Sequence, residues 1–301
     1  LSDRAADANT AAGERGLMQE QAASRTAFRV ALRRAAHQIL DDPRVLDDPI
    51  AVPILGMDEE LIVAAAMRPS EGGYSTRLRA YFAARSRYAE DALATAVASG
   101  VDQYVVLGAG LDTFACRNPF PALRVFEIDH PATQAWKRER IAASGLTLPA
   151  SATFVPVDFE RQSLEDALAA SSFDRARPAF FSWLGVVPYL TAEAITATLK
   201  FVGAGAMGTG LALDYGQPAE SAPFTERIAL SVLARRVAAA GEPFRSSFTP
   251  DAIERLLRDA GFTTIEDVGM DVVNDRYFRG RTDGLCVAGK TGRLLSAWRQ
   301  S

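Results

Sequence analysis

Tyr104-Val105-Val106-Leu107-Gly108-Ala109-Gly110-Leu111-Asp112-Thr113 is an apolar, β-branched run that breaks into a turn with two glycines spaced by one residue. The run reads as a buried strand. The G-x-G that follows marks a tight turn where backbone can come close to a ligand. Nineteen residues beyond Gly110, the run Val125-Phe126-Glu127-Ile128 ends in Asp129. In a doubly wound sheet this spacing sets a carboxylate beside the glycine turn, at the topological switch point. A carboxylate there accepts hydrogen bonds from both hydroxyls of a ribose. Strand, turn and acid together predict a nucleoside site; the plainer alternative is a sharp turn next to a solvated acidic strand end.

Outward from this stretch the pattern continues. Strands are predicted at Gln103–Leu107, Arg124–Ile128, Thr153–Val157, Ala179–Trp183 and Gly210–Asp214, with two more at Thr263–Val268 and Leu285–Ala288. Helical periods fall between them, one from about Pro131 and one from about Thr191. Thr249-Pro250-Asp251 reads as an N-cap with Pro at the first helical position, and Gly261 as the stop. This rhythm predicts an α/β fold with a parallel, doubly wound sheet. Upstream the chain is helical. Ser24 reads as an N-cap, Phe28, Ala31, Leu32, Ala35 and Ile39 recur at helical spacing, and Asp41-Asp42-Pro43 ends the period. Thr76–Ser99 reads as a long helix with Leu78, Tyr81, Phe82, Leu93, Ala96 and Val97 inward and Gly100 as its C′ residue. The expected organisation is a flexible tail over 1–22, an N-terminal helical cap over 23–100 and a cofactor-binding core over 101–301.

Composition narrows the function. Of 301 residues 48% are hydrophobic and 23% charged, which excludes wholesale disorder. The net charge of −4 lacks the positive field of a nucleic-acid coater, so nucleic acid is not an expected partner. Cys116 and Cys286 cannot form a disulfide framework, and two histidines, His37 and His130, are too few for a usual zinc site, so no metal is expected. No G-x-S-x-G elbow accompanies those histidines. His37 is expected on a helix surface; His130, next to Asp129, is a weak candidate for a supporting role. Spanning a membrane needs about 18 apolar residues, whereas the uncharged run Phe201–Leu213 has 13 residues and four glycines. Leu1–Glu20 is polar and carries no apolar signal region, so the cytoplasm is the expected compartment.

Thr113 bears on which nucleoside cofactor the turn would hold. A dinucleotide fingerprint needs a third small residue at that position for close helix–strand packing. Thr113, followed by Phe114, disfavours a pyrophosphate cradle. S-adenosyl-L-methionine carries a sulfonium and an amino-acid tail, and suits a site rich in carboxylates. Val157-Asp158-Phe159 supplies another acid at the next strand end, with Phe159 placed to pack on an adenine. The alternative for Asp158 is a helix N-cap. Gly284-Leu285-Cys286-Val287-Ala288-Gly289-Lys290-Thr291 matches the P-loop pattern, but its four inner residues are apolar and read as a strand where a phosphate-cradling loop should be.

At these residues the chain resembles the leucine carboxyl methyltransferase family, in its bacterial class I S-adenosyl-L-methionine-dependent branch. The resemblance runs from about Ser24 to about Lys290. It is carried by Ser24-Arg25-Thr26-Ala27, Leu40-Asp41-Asp42-Pro43, Tyr81–Arg85, Leu107–Thr113, Phe126-Glu127-Ile128-Asp129, Val157-Asp158-Phe159 and Trp183–Leu190. It implies a class I, Rossmann-like methyltransferase sheet, seven-stranded and mostly parallel, capped by N-terminal helices, with S-adenosyl-L-methionine as donor and an oxygen acceptor, expected to be a carboxylate. By this resemblance Gly108, Ala109 and Gly110 lie against the methionine part of the cofactor, Asp129 holds the ribose, Asp158 and Phe159 the adenine, and Arg85 the cofactor's carboxylate. The chain departs from the family at Leu184, where members often carry the Glu that helps to hold the cofactor's amino group.

A carboxylate acceptor is ionised at neutral pH and needs orientation rather than a general base. Tyr81, Arg117, Tyr189 and Tyr215 are the candidates to orient it. The expected partner is a small-molecule or peptide carboxylate. Two alternatives remain: a nicotinamide-dependent oxidoreductase, disfavoured by Thr113, and a non-catalytic S-adenosyl-L-methionine-binding protein, suggested by Leu184.

Overall fold

The computed structural model describes residues 26–67, 73–158, 162–239 and 243–300. The predicted tail, Ser24 and Phe159 lie outside the described residues. A helix over 26–40 (α1) is followed by α2 (Glu59–Ala66) and α3 (Gly73–Ala98). The α/β part then runs β1 (Gln103–Leu107), α4 (Phe114–Arg117), β2 (Arg124–Asp129), α5 (Pro131–Ala143), β3 (Ala152–Pro156), α6 (Leu164–Ala169) and β4 (Phe180–Trp183). It closes with α7 (Ala192–Gly203), β5 (Gly210–Gly216), α8 (Phe224–Ala239), α9 (Pro250–Ala260), β6 (Thr264–Gly269), α10 (Met270–Tyr277) and β7 (Gly292–Trp298).

The seven strands form one sheet in the order β3-β2-β1-β4-β5-β7-β6. The first five pair in parallel, and β7 is antiparallel to both β5 and β6. The order reverses between β1 and β4, which opens the crevice at the carboxyl ends of the strands where such sheets bind ligands. β1 is buried throughout because both sheet faces are covered. Val105 and Leu107 join a cluster with Ile195 and Leu199 of α7 and Ile253 and Leu257 of α9. Tyr104 and Val106 join Ala89, Leu93 and Ala96 of α3 on the other face.

α3 is longer and flatter than the sequence pattern indicates. Leu78, Tyr81, Phe82 and Val97 are only half-buried, while Ala80, Ala83, Ala84 and Ala89 are buried beside the expected Leu93 and Ala96. A row of methyl groups lets the helix approach the sheet closely, which large side chains at those positions would prevent. The α9 ends are as read: Thr249 Oγ1 accepts the N–H of Ala252, and Gly261 is left-handed at φ +104°.

The predicted strand Leu285–Ala288 is not a strand; the seventh strand is Gly292–Trp298. Leu285 and Val287 are buried, but the backbone of Val287 is paired with the Asn274 side chain, its N–H donating to Oδ1 at 2.9 Å and its C=O accepting from Nδ2 at 3.0 Å. That amide takes the ladder bonds a neighbouring strand would need. The segment resembling a P-loop is therefore neither a strand nor a loop leading into a helix: Thr291 is followed directly by β7. Among the described residues no helix is long and apolar enough to cross a membrane.

Candidate active site

The turn after β1 is built by its glycines. Gly108 (φ +68°) and Gly110 (φ +49°) are left-handed, a region that side-chain-bearing residues rarely adopt. A Cβ on Gly108 would stand 2.4 Å from Val186 Cγ2, and one on Gly110 would stand 3.1 Å from Ala27 Cβ of α1. The turn is stitched to β2: the N–H groups of Gly108 and Ala109 both donate to Ile128 O, at 2.8 and 3.1 Å. The next N–H, that of Gly110, donates to Asp129 Oδ2 at 2.5 Å. The His130 N–H donates to Asp129 Oδ1 at 2.7 Å. Burial pushes the Asp129 carboxyl above its ordinary value, and these two N–H donors pull it back. Each oxygen keeps a free lone pair, so the half-buried carboxylate can still accept two hydroxyls.

Asp158 follows β3, with the Val157 N–H donating to Asp129 O at 2.9 Å, so the two acids belong to adjacent strand ends. The N-cap of α6 is Ser163, whose hydroxyl accepts the Asp166 N–H; Asp158 does not cap that helix. His130 caps α5 instead, its ring Nδ1 accepting the Ala132 N–H at 3.3 Å.

Arg85 comes from the other side, on α3. It is 7% exposed and lies over the rings of Tyr81 and Phe82 at 5.7 and 5.0 Å. Its Nη1 donates to Asp214 Oδ2 at 3.1 Å, while its Nε is buried without a hydrogen-bond partner. Burial works against the charge, but Asp214 outweighs it and holds Arg85 protonated. The glycine at 185 (φ +72°) makes room: a Cβ there would stand 2.7 Å from Arg85 Nη1. The Tyr81 hydroxyl also donates to Asp214 Oδ2, at 2.8 Å, and burial raises its own pKa well above the usual phenol value. Asp214, at the end of β5, is 4% exposed and was not singled out from the sequence. Its signal was present, as an acid following the apolar run Gly210–Leu213, but its partners are 129 and 133 positions away. Leu184 packs with the apolar cluster under α3.

The other candidates separate. Tyr189 sits in the short turn Val187–Tyr189, its ring 5.6 Å from Phe244 and within electrostatic reach of Arg85. Arg117 is tied elsewhere. Its guanidinium grips both oxygens of Glu90 and pairs with Asp48 at 3.2 Å. Arg34 joins the same knot, pairing with Asp48 and Asp112, and Thr113 donates its hydroxyl to Asp48 at 2.6 Å. Thr113 thus fastens the glycine turn to the helical cap. Tyr215 faces the opposite side of the sheet, where its hydroxyl donates to Asp267 at 2.6 Å.

His37 is not on a helix surface: it is fully buried. Its Nε2 accepts the N–H groups of Val45 and Leu46, which leaves Nδ1 protonated and donating to Asp41 at 2.7 Å. Asp41 also receives Arg79 at 2.8 and 2.9 Å, so the Leu40–Pro43 stretch anchors the cap.

A cavity of about 650 Å³ lies at the amino-terminal edge of β5, lined by Tyr88 and Trp298 among others. Charged groups in its lining are already paired, Arg87 with Asp91 along α3 and Arg276 with Glu266.

Three features meet at the carboxyl ends of the strands: a glycine turn, a half-buried carboxylate with spare lone pairs, and a buried guanidinium with an unpartnered N–H. They fit ribose, the methionine chain and its carboxylate.

Residues 27–203 match the leucine carboxyl methyltransferase family. YktD of Bacillus subtilis (strain 168), assigned by name to the S-adenosyl-L-methionine-dependent methyltransferases, is 31% identical over 294 residues, 89% of this chain and 95% of YktD. A protein of Saccharopolyspora erythraea with the same assignment is 36% identical over 170 residues, 56% of this chain and 58% of its own. A protein from Thermobifida fusca YX assigned to the methyltransferases has a similar structure, with a TM-score of 0.56 at 17% identity over 90% of this chain and 94% of that one. At that identity the likeness speaks for the fold alone.

Proposed function

Because the chain belongs to the leucine carboxyl methyltransferase family and is an S-adenosyl-L-methionine-dependent methyltransferase, we propose that it methylates a carboxylate oxygen of a small molecule or peptide terminus. The observation that carries this reading is the disposition of the polar groups around the crevice. Both histidines are committed elsewhere, His37 inside the cap and His130 at the start of α5. The polar groups beside Arg85 are two hydroxyls, that of Tyr81, which donates to Asp214, and that of Tyr189. Hydroxyls and a guanidinium orient an anion; an ionised carboxylate needs no proton removed before it attacks.

The bound cofactor supplies an activated methyl carbon. In this reading Gly108, Ala109 and Gly110 present backbone to its methionine part, Asp129 accepts the ribose hydroxyls, Asp158 and Phe159 take the adenine, and Arg85 takes the carboxylate. Tyr189 orients the acceptor oxygen near attack distance, roughly 3 Å and in line, beside Tyr81, whose hydroxyl is held by Asp214.

The experiment is transfer of a labelled methyl group from S-adenosyl-L-methionine to a panel of carboxylic acids, phenols and amines, followed by mild alkali. A methyl ester releases labelled methanol, which is the expected result. Label retained through alkali, on a phenol or an amine, overturns the carboxylate assignment.

A further inference from the structure

Continuing the parallel register of β4 and β5 one residue beyond Trp183↔Leu213 places Leu184 level with Asp214. Parallel partners in register point to the same face, and Leu184 shares the α3-side cluster with Ala212, two residues before Asp214. The Gly185 N–H donating to Asp214 Oδ1 fixes this adjacency. Beside the apolar Leu184, a neighbouring strand thus presents a buried carboxylate at the carboxyl edge of the sheet.

Asp214 has one acceptor site left. A carboxylate takes about four hydrogen bonds, and here three are made, by Gly185 N–H, Tyr81 Oη–H and Arg85 Nη1. The same Arg85 buries an Nε–H with nothing to receive it. A buried unpaired donor of a charged group is costly and calls for an anion. One acceptor site on an acid and one donor on the adjacent arginine, both on the seam between α3 and the strand ends, form a complementary pair for a zwitterion.

We infer that Asp214 binds the ammonium group of the cofactor's amino-acid tail while Arg85 binds its carboxylate, so that the two residues clamp that tail from the cap–sheet seam. The inference rests on the methyltransferase reading above. It explains how a chain with Leu at position 184 holds a cationic amine: the acid stands one strand over, at the same level. Tyr81 positions Asp214 by donating to Oδ2, which leaves Oδ1 turned toward Gly185 and the crevice.

The test uses the full chain and calorimetry with three probes: S-adenosylhomocysteine, its desamino analogue and 5′-methylthioadenosine, which lacks the whole tail. The wild type is expected to bind S-adenosylhomocysteine roughly 10–100-fold more tightly than the desamino analogue, the range for a charge-assisted hydrogen bond. Asp214→Asn is expected to reduce that ratio to within about threefold, with binding of 5′-methylthioadenosine unchanged as the check on the fold. Leu184→Lys gives a second route, because an added ammonium beside Asp214 competes for it; Leu184→Met is its neutral control. The ratio should fall in Leu184→Lys and hold in Leu184→Met. A wild type that does not discriminate the amino group, or a ratio unchanged in Asp214→Asn or Leu184→Lys, overturns the clamp. A wild type that binds none of the three probes overturns the methyltransferase reading itself.

Discussion

Asp129 Oδ2 accepts the backbone N–H of Gly110 at 2.5 Å, so the acid at the end of β2 and the turn at the end of β1 form one hydrogen-bonded unit. The left-handed Gly110 aims its N–H at the neighbouring strand end, which holds the carboxylate in one orientation.

Asp129→Ala should therefore lower affinity for S-adenosylhomocysteine by about 100–10,000-fold, the loss of two hydrogen bonds to a charged acceptor. Calorimetry measures it, and circular dichroism checks that the fold persists. Undiminished affinity would remove the ribose role.

Gly108→Ala combines two penalties. The φ of +68° strains any L side chain by about 1–2 kcal/mol, and the added Cβ meets Val186 Cγ2 at 2.4 Å, worth about 1–3 kcal/mol more. Adding Val186→Ala should recover the second part only. Urea denaturation of the single and double variants separates the two; full recovery would mean the backbone is unstrained.

Glu127 is fully buried against Lys137, with Nζ to Oε2 at 2.5 Å. Burial pushes its carboxyl up to about 7, against the pull of Lys137. The folded value lies above the unfolded one, so this group's contribution is complete below about pH 4.5 and is lost as pH rises through about 7. Wild type should thus lose stability relative to Glu127→Gln between about pH 5 and pH 8, by roughly 1–3 kcal/mol. Denaturation midpoints across that range decide the matter. A difference that stays flat or grows with pH contradicts the assigned direction.

Tyr215→Phe removes the hydroxyl that donates to Asp267 at 2.6 Å on the far face of the sheet. The expected cost is about 1 kcal/mol of stability, with cofactor affinity and acceptor KM unchanged. A raised KM at unchanged stability would return Tyr215 to the acceptor site.

Several elements were legible locally. The strand edges of β1 and the caps of α9 follow from residue types within a few positions, as does the need for glycine at 108 and 110. β7 was not legible, because Leu285–Ala288 and Gly292–Trp298 are both short apolar runs. What separates them is the backbone partner: the Asn274 amide for one, β5 and β6 for the other. On α3, Leu93 and Ala96 are buried as read and Tyr81 and Val97 pack partly on the core, but Ala80, Ala83, Ala84 and Ala89 were missed for a related reason. Helical spacing ranks large apolar residues first, whereas a flat sheet surface selects the alanines.

The sequence by itself determined the sheet class, the glycine turn and the acid beside it, since strand rhythm and left-handed turns are properties of neighbouring residues. Only the tertiary structure decided which charges are available to a ligand. Arg117 read as an open candidate and His37 as a helix-surface residue, yet Glu90 and Asp48 consume the one and Asp41 the other. Asp214 read as an ordinary strand-end acid until α3 brought Tyr81 and Arg85 against it from more than a hundred positions away. The burial that sets a charged group's partners is a sum over distant segments, and no local pattern contains it.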